Sequence, residues 1–453
     1  MPIKQDIFRS YDIRGAFPTE INKEIAFKVG QAFAFLIQKE TGADRIKIAI
    51  GRDGRRSSPA LAKEIKKGLI DQGAIAIDLG AVSTPTFYFA AGKCKYDGGI
   101  QVTASHLGGN FNGFKLTRRG AESLSFENGI GDLQRLIREN AFAAGIKKGK
   151  VIRSANILDE EIKFAQSFAD LKKIKPLKVV VDAANGIGGP MYERLFSRVP
   201  CKLIKLNFRV DGAFPSHDPN PAVEKNNAEL QKAVLKNKAD IGIAVDGDGD
   251  RVLFVDEKGK TVEPAALRAM VAEIFLKGAR NEKIIYDVRP GKATEEVILE
   301  NGGTPIVSAV GNSFIKEKAR QENALLGLES TGHFILRTKY GFFESPMIVV
   351  LKILQEMSKS GLSLSECAKP FQRYFHSGEI NFKAKNPRAV FKKLKQKFGR
   401  NLKYDFDGLS FEFPDYWFNV RLSNTESKMR LNLEARTQEA MEKNVKIVSL
   451  LIK

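Results

Sequence analysis

The stretch ADIGIAVDGDGDRVLFVDEKG, Ala239 to Gly259, decides how this chain is read. Its apolar run Ile241, Ile243 and Val245 has the pattern of a buried strand, and it empties directly into three aspartates at i, i+2 and i+4, Asp246, Asp248 and Asp250, followed by Arg251. The glycines between the aspartates let the backbone turn with almost no side-chain bulk, so three carboxylates can converge on one cation. Oxygen-only donors suit Mg2+ rather than zinc, and the calcium-hand loop with its terminal glutamate is absent. A buried strand that ends in a small polar loop carrying chemistry is a building block of layered α/β architecture.

The same pattern recurs outward from this stretch. Upstream, GGIQVTASH delivers Ser105 and His106 into LGGNFNGFK, Leu107 to Lys115. A serine hydroxyl on a Gly-rich turn at a strand end can reach a phosphoryl group, and Lys115 supplies a point charge against its oxygens. Further upstream, FRSYDIRG (Phe8 to Gly15) precedes a helical pattern from about Asn22 to Glu40. The strand IKIAI then opens into GRDGRRSS, Gly51 to Ser58, whose arginines and hydroxyls suggest an anion-handling loop. PLKVVVDAANGIGG (Pro176 to Gly189) and KIIYDVR repeat the strand-to-loop transition, and FPSHDPNP, Phe214 to Pro221, reads as a rigid ordered loop. From about Phe371 the character changes to a basic helix, Pro387 to Phe398, and short alternating strands around RLSNTESKMR, Arg421 to Arg430. Basic residues bracket hydroxyls and an asparagine there, a way of holding phosphate without a metal. The expected organisation is an α/β unit over 1–152 with the serine loop, a second over 153–256 with the aspartate loop, a third over 257–370, and an α+β unit over 371–453.

Bulk properties narrow the function. At 453 residues the chain exceeds a single core. It carries no apolar run of membrane-spanning length and no signal-like N-terminus, so a cytoplasmic location is expected. Three scattered cysteines, Cys94, Cys201 and Cys367, make neither a disulfide framework nor a zinc site. A net charge of +20 is compatible with nucleic acid, but the lysines are spread through amphipathic segments with no nucleic-acid-binding motif. Phosphorylated metabolites are the simpler partner for such a protein, with no nucleic acid and no membrane expected.

Five motifs stand in a fixed order: YDIRG (Tyr11 to Gly15), TASH through NGFK (Thr103 to Lys115), DGDGDR (Asp246 to Arg251), ESTGH (Glu329 to His333) and RLSNTE (Arg421 to Glu426). In this the whole chain resembles the α-D-phosphohexomutases, in particular the phosphomannomutase/phosphoglucomutase group. The resemblance implies three similar mixed-sheet α/β domains plus a C-terminal α+β domain of the TATA-binding-like type around a central cleft. It also implies phosphorylated hexose substrates, Mg2+, a hexose 1,6-bisphosphate as intermediate and activator, and a monomer or homodimer.

Carried over by position, Ser105 corresponds to the phosphoserine, and Asp246, Asp248 and Asp250 to the Mg2+ ligands together with a phosphoserine oxygen. Lys115, Arg14, Arg251 and His106 fall at the transferring group. Glu329, Thr331 and His333 belong to the sugar loop, and Arg421, Ser423, Asn424, Thr425 and Arg430 to the clamp for the other phosphate. The implied reaction is reversible phosphoryl transfer between O1 and O6 of mannose or glucose phosphate. The alternatives are a phosphoglucosamine mutase or a catalytically weakened sugar-phosphate-binding homologue.

The sequence departs from the family pattern at several points. TASHLGG stands where TASHNP is usual, so Leu107 and Gly108 replace asparagine and proline, and a looser serine turn is expected. Asn312 stands where histidine is frequent, Leu328 where glycine is, and Ser427 where proline follows SNTE.

Overall fold

The computed structural model describes residues 5–142, 148–289, 291–383, 386–423 and 428–453. By packing, the chain forms two compact units. The first runs to Thr261 and includes Thr331–Leu364; the second comprises Val262–Ser330 and Ser365–Lys453. The expected third unit, 257–370, thus contributes to both.

In the first unit, the parallel strands Lys47–Arg52, Ile75–Ala81, Gly98–Val102 and Lys150–Arg153 join the antiparallel Phe111–Arg118 and Ile13–Ala16 in one mixed sheet. Lys47–Arg52 and Gly98–Val102 are neighbours, so the loops leaving their C-terminal ends, which carry Arg55 and Ser105, emerge side by side. The helix Lys23–Thr41 presents Ile25, Val29, Phe33 and Ile37 to the core at helical spacing. Asn22 caps its first turn by accepting from the Ile25 N–H at 3.0 Å, and Gly42, at φ 66°, ends it in the left-handed conformation glycine favours.

The second sheet of this unit places Ile241–Val245 between Lys178–Asp182, parallel, and Val252–Val255, antiparallel. Every residue of Ile241–Val245 is buried, as its unbroken apolar run predicts. The hairpin Phe334–Thr338 with Gly341–Glu344 is no part of this sheet, although it packs within the first unit.

In the second unit, Lys283–Asp287 lies between Thr304–Ser308 and Leu326–Leu328, all parallel, and delivers Asp287 to its end. The C-terminal part is an antiparallel sheet ordered Phe375–Phe382, Met429–Ala435, Tyr416–Leu422, Leu409–Glu412 and Leu402–Tyr404. The helices Pro387–Phe398 and Gln438–Ile452 contribute Leu394, Phe398, Val448 and Ile452 to its core. None of the three cysteines is in a disulfide, and no helix among the described residues is long and apolar enough to cross a membrane.

Candidate functional site

Ser105 follows the strand Gly98–Val102 and sits with φ at 52°, a left-handed conformation that costs any residue but glycine. Its N–H donates to Thr103 Oγ1 at 2.9 Å. The hydroxyl, on a residue only 2% exposed, lies 3.3 Å from Asp246 Oδ2 and 3.3 Å from His106 Nδ1. Gly247 makes the approach possible, because a Cβ there would stand 2.7 Å from the Ser105 carbonyl oxygen. The glycine spacing of DGDGD therefore serves contact with the serine loop as well as turning.

The three aspartates are fully buried, with one oxygen of each within 4.8 Å of the others. Asp246 Oδ1 accepts from the backbone N–H groups of Asp250 at 3.0 Å and Arg251 at 3.2 Å. Asp248 Oδ2 accepts from Thr84 Oγ1 at 2.6 Å, Thr103 Oγ1 at 3.2 Å and Lys115 Nζ at 2.8 Å. Its other oxygen is buried and has no hydrogen-bond donor among the described residues. Burial first, then the carboxylates of Asp250 and Asp248, push Asp246 well above the usual carboxylate range. Such a cluster of oxygen donors, with a buried oxygen held in reserve, fits a hard divalent cation.

Lys115, from Phe111–Arg118, also bonds Asp250; burial would lower its pKa, but Asp248 and Asp250 outweigh that and hold it well above its ordinary value. Arg14, on the edge strand Ile13–Ala16 that pairs with Phe111–Arg118, forms an ion pair with Asp12 just before that strand. Burial, then the positive charges of Arg251 and Arg14, pull His106 well below its ordinary value, so the imidazole beside Ser105 is neutral. Arg251 Nε donates to His333 Nε2 at 2.9 Å and lies 3.8 Å from Asp246. With that nitrogen accepting, the ring proton of His333 sits on Nδ1, 3.6 Å from Asp250 and 3.5 Å from Glu344. His333 is thus buried against the aspartate loop, and Thr331 stands two residues before it.

Glu329 directly follows the strand Leu326–Leu328 in the second unit, where Arg289 Nη2 lies 3.4 Å from its carboxylate. Asp287 receives both Nε and Nη2 of Arg289 at 2.9 Å, the Ser330 N–H at 2.7 Å and Arg268 at 3.4 Å. These neighbours overcome burial and hold Asp287 far below the usual range. At the C-terminal sheet, Glu379 bridges Arg421 at 3.0 Å and Arg430 at 3.1 Å. Burial first, then the charge of Arg289, lowers Arg421 from its ordinary value, against Glu379, which works the other way. Ser423 borders this pair, its N–H bonded to the Lys428 carbonyl at 2.9 Å. Asn424, Thr425 and Ser427 lie outside the described residues.

The sequence reading missed Thr84, Arg268, Asp287, Arg289, Glu344 and Glu379. KIIYDVR carried the strand-end signal for Asp287 and Arg289, whereas Thr84 meets an aspartate 164 positions away and leaves no local signature. The GRDGRRSS loop is not an anion site at Arg55, which is turned inward with its donors taken by the protein.

Comparison with known proteins adds the family. Models of phosphoglucomutase/phosphomannomutase domains match in order: alpha/beta/alpha domain I over residues 5–141, domain II over 160–259, domain III over 264–374 and the C-terminal domain over 379–449. The chain is 36% identical over 456 residues to a phosphomannomutase of Vibrio cholerae serotype O1, covering 98% of both. It is 37% identical over 443 residues to one of Escherichia coli K12, covering 96% of this chain and 95% of that one. The crystal structure of a phosphoglucomutase/phosphomannomutase family protein from Burkholderia thailandensis matches with a TM-score of 0.89 at 30% identity, over 100% of this chain and 98% of that one. With four domain models in order along a chain that also aligns end to end with these relatives, the protein belongs to the phosphoglucomutase/phosphomannomutase family, the α-D-phosphohexomutases.

Proposed function

We propose that this phosphohexomutase moves a phosphoryl group reversibly between O1 and O6 of mannose or glucose phosphate, carrying it on Ser105 by way of the hexose 1,6-bisphosphate. The observation that supports this most is the buried Ser105 hydroxyl 3.3 Å from an aspartate of a three-carboxylate cluster. In the forward half-reaction the bond from phosphorus to Ser105 Oγ breaks as one forms to the free sugar hydroxyl, whose proton ends on the departing Ser105 Oγ. The bisphosphate then reverses end for end, and its other phosphoryl group returns to Ser105.

The residues take roles their surroundings support. Asp246, Asp248 and Asp250 hold Mg2+, which when bound supplies positive charge against the phosphoryl oxygens. Lys115, fixed as a cation, and Arg14 and Arg251 add positive charge around the serine. His106, neutral, offers Nδ1 to the serine hydroxyl and orients it. Thr331 and Glu329 meet the sugar hydroxyls, Glu329 aimed by Arg289, and His333 fixes Arg251 against Asp246. Arg421, Arg430 and Ser423 bind the phosphate that is not transferred, and Asn424 and Thr425 join them by sequence resemblance alone. The reading includes four domains divided near residues 152, 256 and 370, and a cytoplasmic enzyme.

The test is turnover of mannose, glucose and glucosamine 1-phosphates by purified protein with Mg2+ and a trace of hexose 1,6-bisphosphate. Fastest turnover of mannose or glucose phosphate is expected. A preference for glucosamine 1-phosphate would favour the phosphoglucosamine reading, and no turnover of any would sink the proposal.

A further inference from the structure

Arg55 lies in the loop after Lys47–Arg52 and is 1% exposed. A guanidinium has five N–H groups in a rigid planar fork, and all five of Arg55 are used within the protein. Nε donates to Asp53 Oδ2 at 2.9 Å. Nη1 donates to the carbonyls of Gly108 at 2.6 Å and Phe111 at 3.1 Å, and Nη2 to those of Ser105 at 2.8 Å and Leu107 at 2.6 Å. One side chain therefore gathers the carbonyls of the loop that carries the serine. Phe214 covers the guanidinium, its ring centroid 4.9 Å away, and Asp53 is itself fixed by the Arg55 N–H at 3.0 Å and Ser58 Oγ at 2.6 Å.

We propose that Arg55 is a positioning residue for phosphoryl transfer, its fork setting the backbone of Ser105–Phe111 and so the place of the Ser105 hydroxyl. This rests on Ser105 as the phosphoryl carrier. Two further observations support it. Ser105 stands in a left-handed conformation that needs holding from outside, and its two backbone polar groups are held by Thr103 at one end and Arg55 at the other. At Gly108, where the family pattern has proline, an added Cβ would meet nothing within 4 Å. Side-chain packing does not brace that point. The guanidinium does, which removes the reason to expect a loose serine turn from Leu107 and Gly108. Lysine cannot replace this fork, because its donors radiate from one nitrogen at the end of a flexible stem.

The experiment compares full-length wild type, Arg55→Lys and Arg55→Ala, the last with and without added guanidinium chloride at millimolar concentration. It reads backbone hydrogen exchange over residues 105–111, kcat and KM with glucose 1-phosphate plus glucose 1,6-bisphosphate, and thermal unfolding. In Arg55→Lys we expect exchange in that loop about tenfold faster with the rest of the unit unchanged. We expect kcat down roughly 100-fold and KM within about twofold. Guanidinium should restore part of kcat in Arg55→Ala and not in Arg55→Lys, where the stem fills the space.

Wild-type exchange and kcat in Arg55→Lys would overturn the proposal, as would a loss confined to KM. Failure of both variants to fold would also overturn it, since Arg55 would then support the whole unit instead of this loop. A Ser105→Ala control separates the two readings. Full activity in that variant defeats the carrier role while leaving the exchange result to judge what Arg55 does to the loop.

Discussion

Asp248 shows how a single residue is prepared for a cation. One of its oxygens takes hydrogen bonds from Thr84, Thr103 and Lys115, and the other, buried, is left without a donor among the described residues. Thr84→Val removes one of these donors with little change in shape. Losing one such bond costs about 1 kcal/mol, so Mg2+ or Mn2+ affinity measured by calorimetry should fall roughly fivefold, with Thr84→Ser restoring it. Unchanged affinity in Thr84→Val would mean the threonine does not orient the ligand.

Arg421 acts on the substrate's other end. Arg421→Ala removes a buried cation opposite Arg430 on the neighbouring strand and leaves Glu379 with one partner fewer. KM should rise roughly 10- to 100-fold, and equally for hexose 1-phosphate and 6-phosphate, because one clamp meets whichever phosphate is not transferring. Steady-state kinetics in both directions decide it; an effect in only one direction would count against a shared clamp.

At the scale of the element, the two loops that meet at Ser105 differ in how much change they tolerate. Gly247→Ala puts a methyl 2.7 Å from the Ser105 carbonyl, whereas Gly108→Ala meets open space. The first should cut kcat by roughly 100-fold with the fold intact, and the second should leave it within about twofold. Similar kinetics for the two would show that the aspartate loop does not set the serine loop.

The helices and strands were largely legible because their causes are local. The spacing of Ile25, Val29, Phe33 and Ile37 foretells a helix from about Asn22 to Glu40, and it runs Lys23–Thr41 with Asn22 as its cap. Pro387 to Phe398 was likewise readable as a helix from its own residues. Asp246, Asp248, Asp250 and Ser105 were legible because strand ends and glycines mark them. Arg55 and Thr84 were not, since the first has the composition of an anion loop and the second acts across a long sequence separation. His333 was placed in the sugar loop, and only the folded chain shows it facing the aspartate loop.

For the molecule as a whole, each unit buries a carboxyl group that resists ionisation. Burial pushes Glu161 in the first unit up to about 8, against a hydrogen bond from Thr86 that works the other way. Burial pushes Glu434 in the second up to about 7, against bonds from the Lys292 N–H and Trp417 Nε1. Both folded values exceed the ordinary 4.5 of the unfolded chain. The stabilisation is therefore complete below about pH 4.5 and is lost as pH rises to about 8, because the unfolded chain releases these protons first. The double variant Glu161→Gln with Glu434→Gln should flatten this slope, raising the unfolding temperature at pH 8 by about 2–5 °C over wild type and not at pH 5. Calorimetry at the two pH values checks it; an equal shift at both would mean the effect is packing, not titration.

The most direct test of the whole account is intact-mass analysis of the protein after incubation with glucose 1,6-bisphosphate and Mg2+, paired with turnover, for wild type and Ser105→Ala. The account predicts one phosphoryl group on wild type, mapped to Ser105 and discharged by added glucose 1-phosphate, and neither label nor turnover in Ser105→Ala. Normal turnover by Ser105→Ala, or a label on another residue, would contradict it.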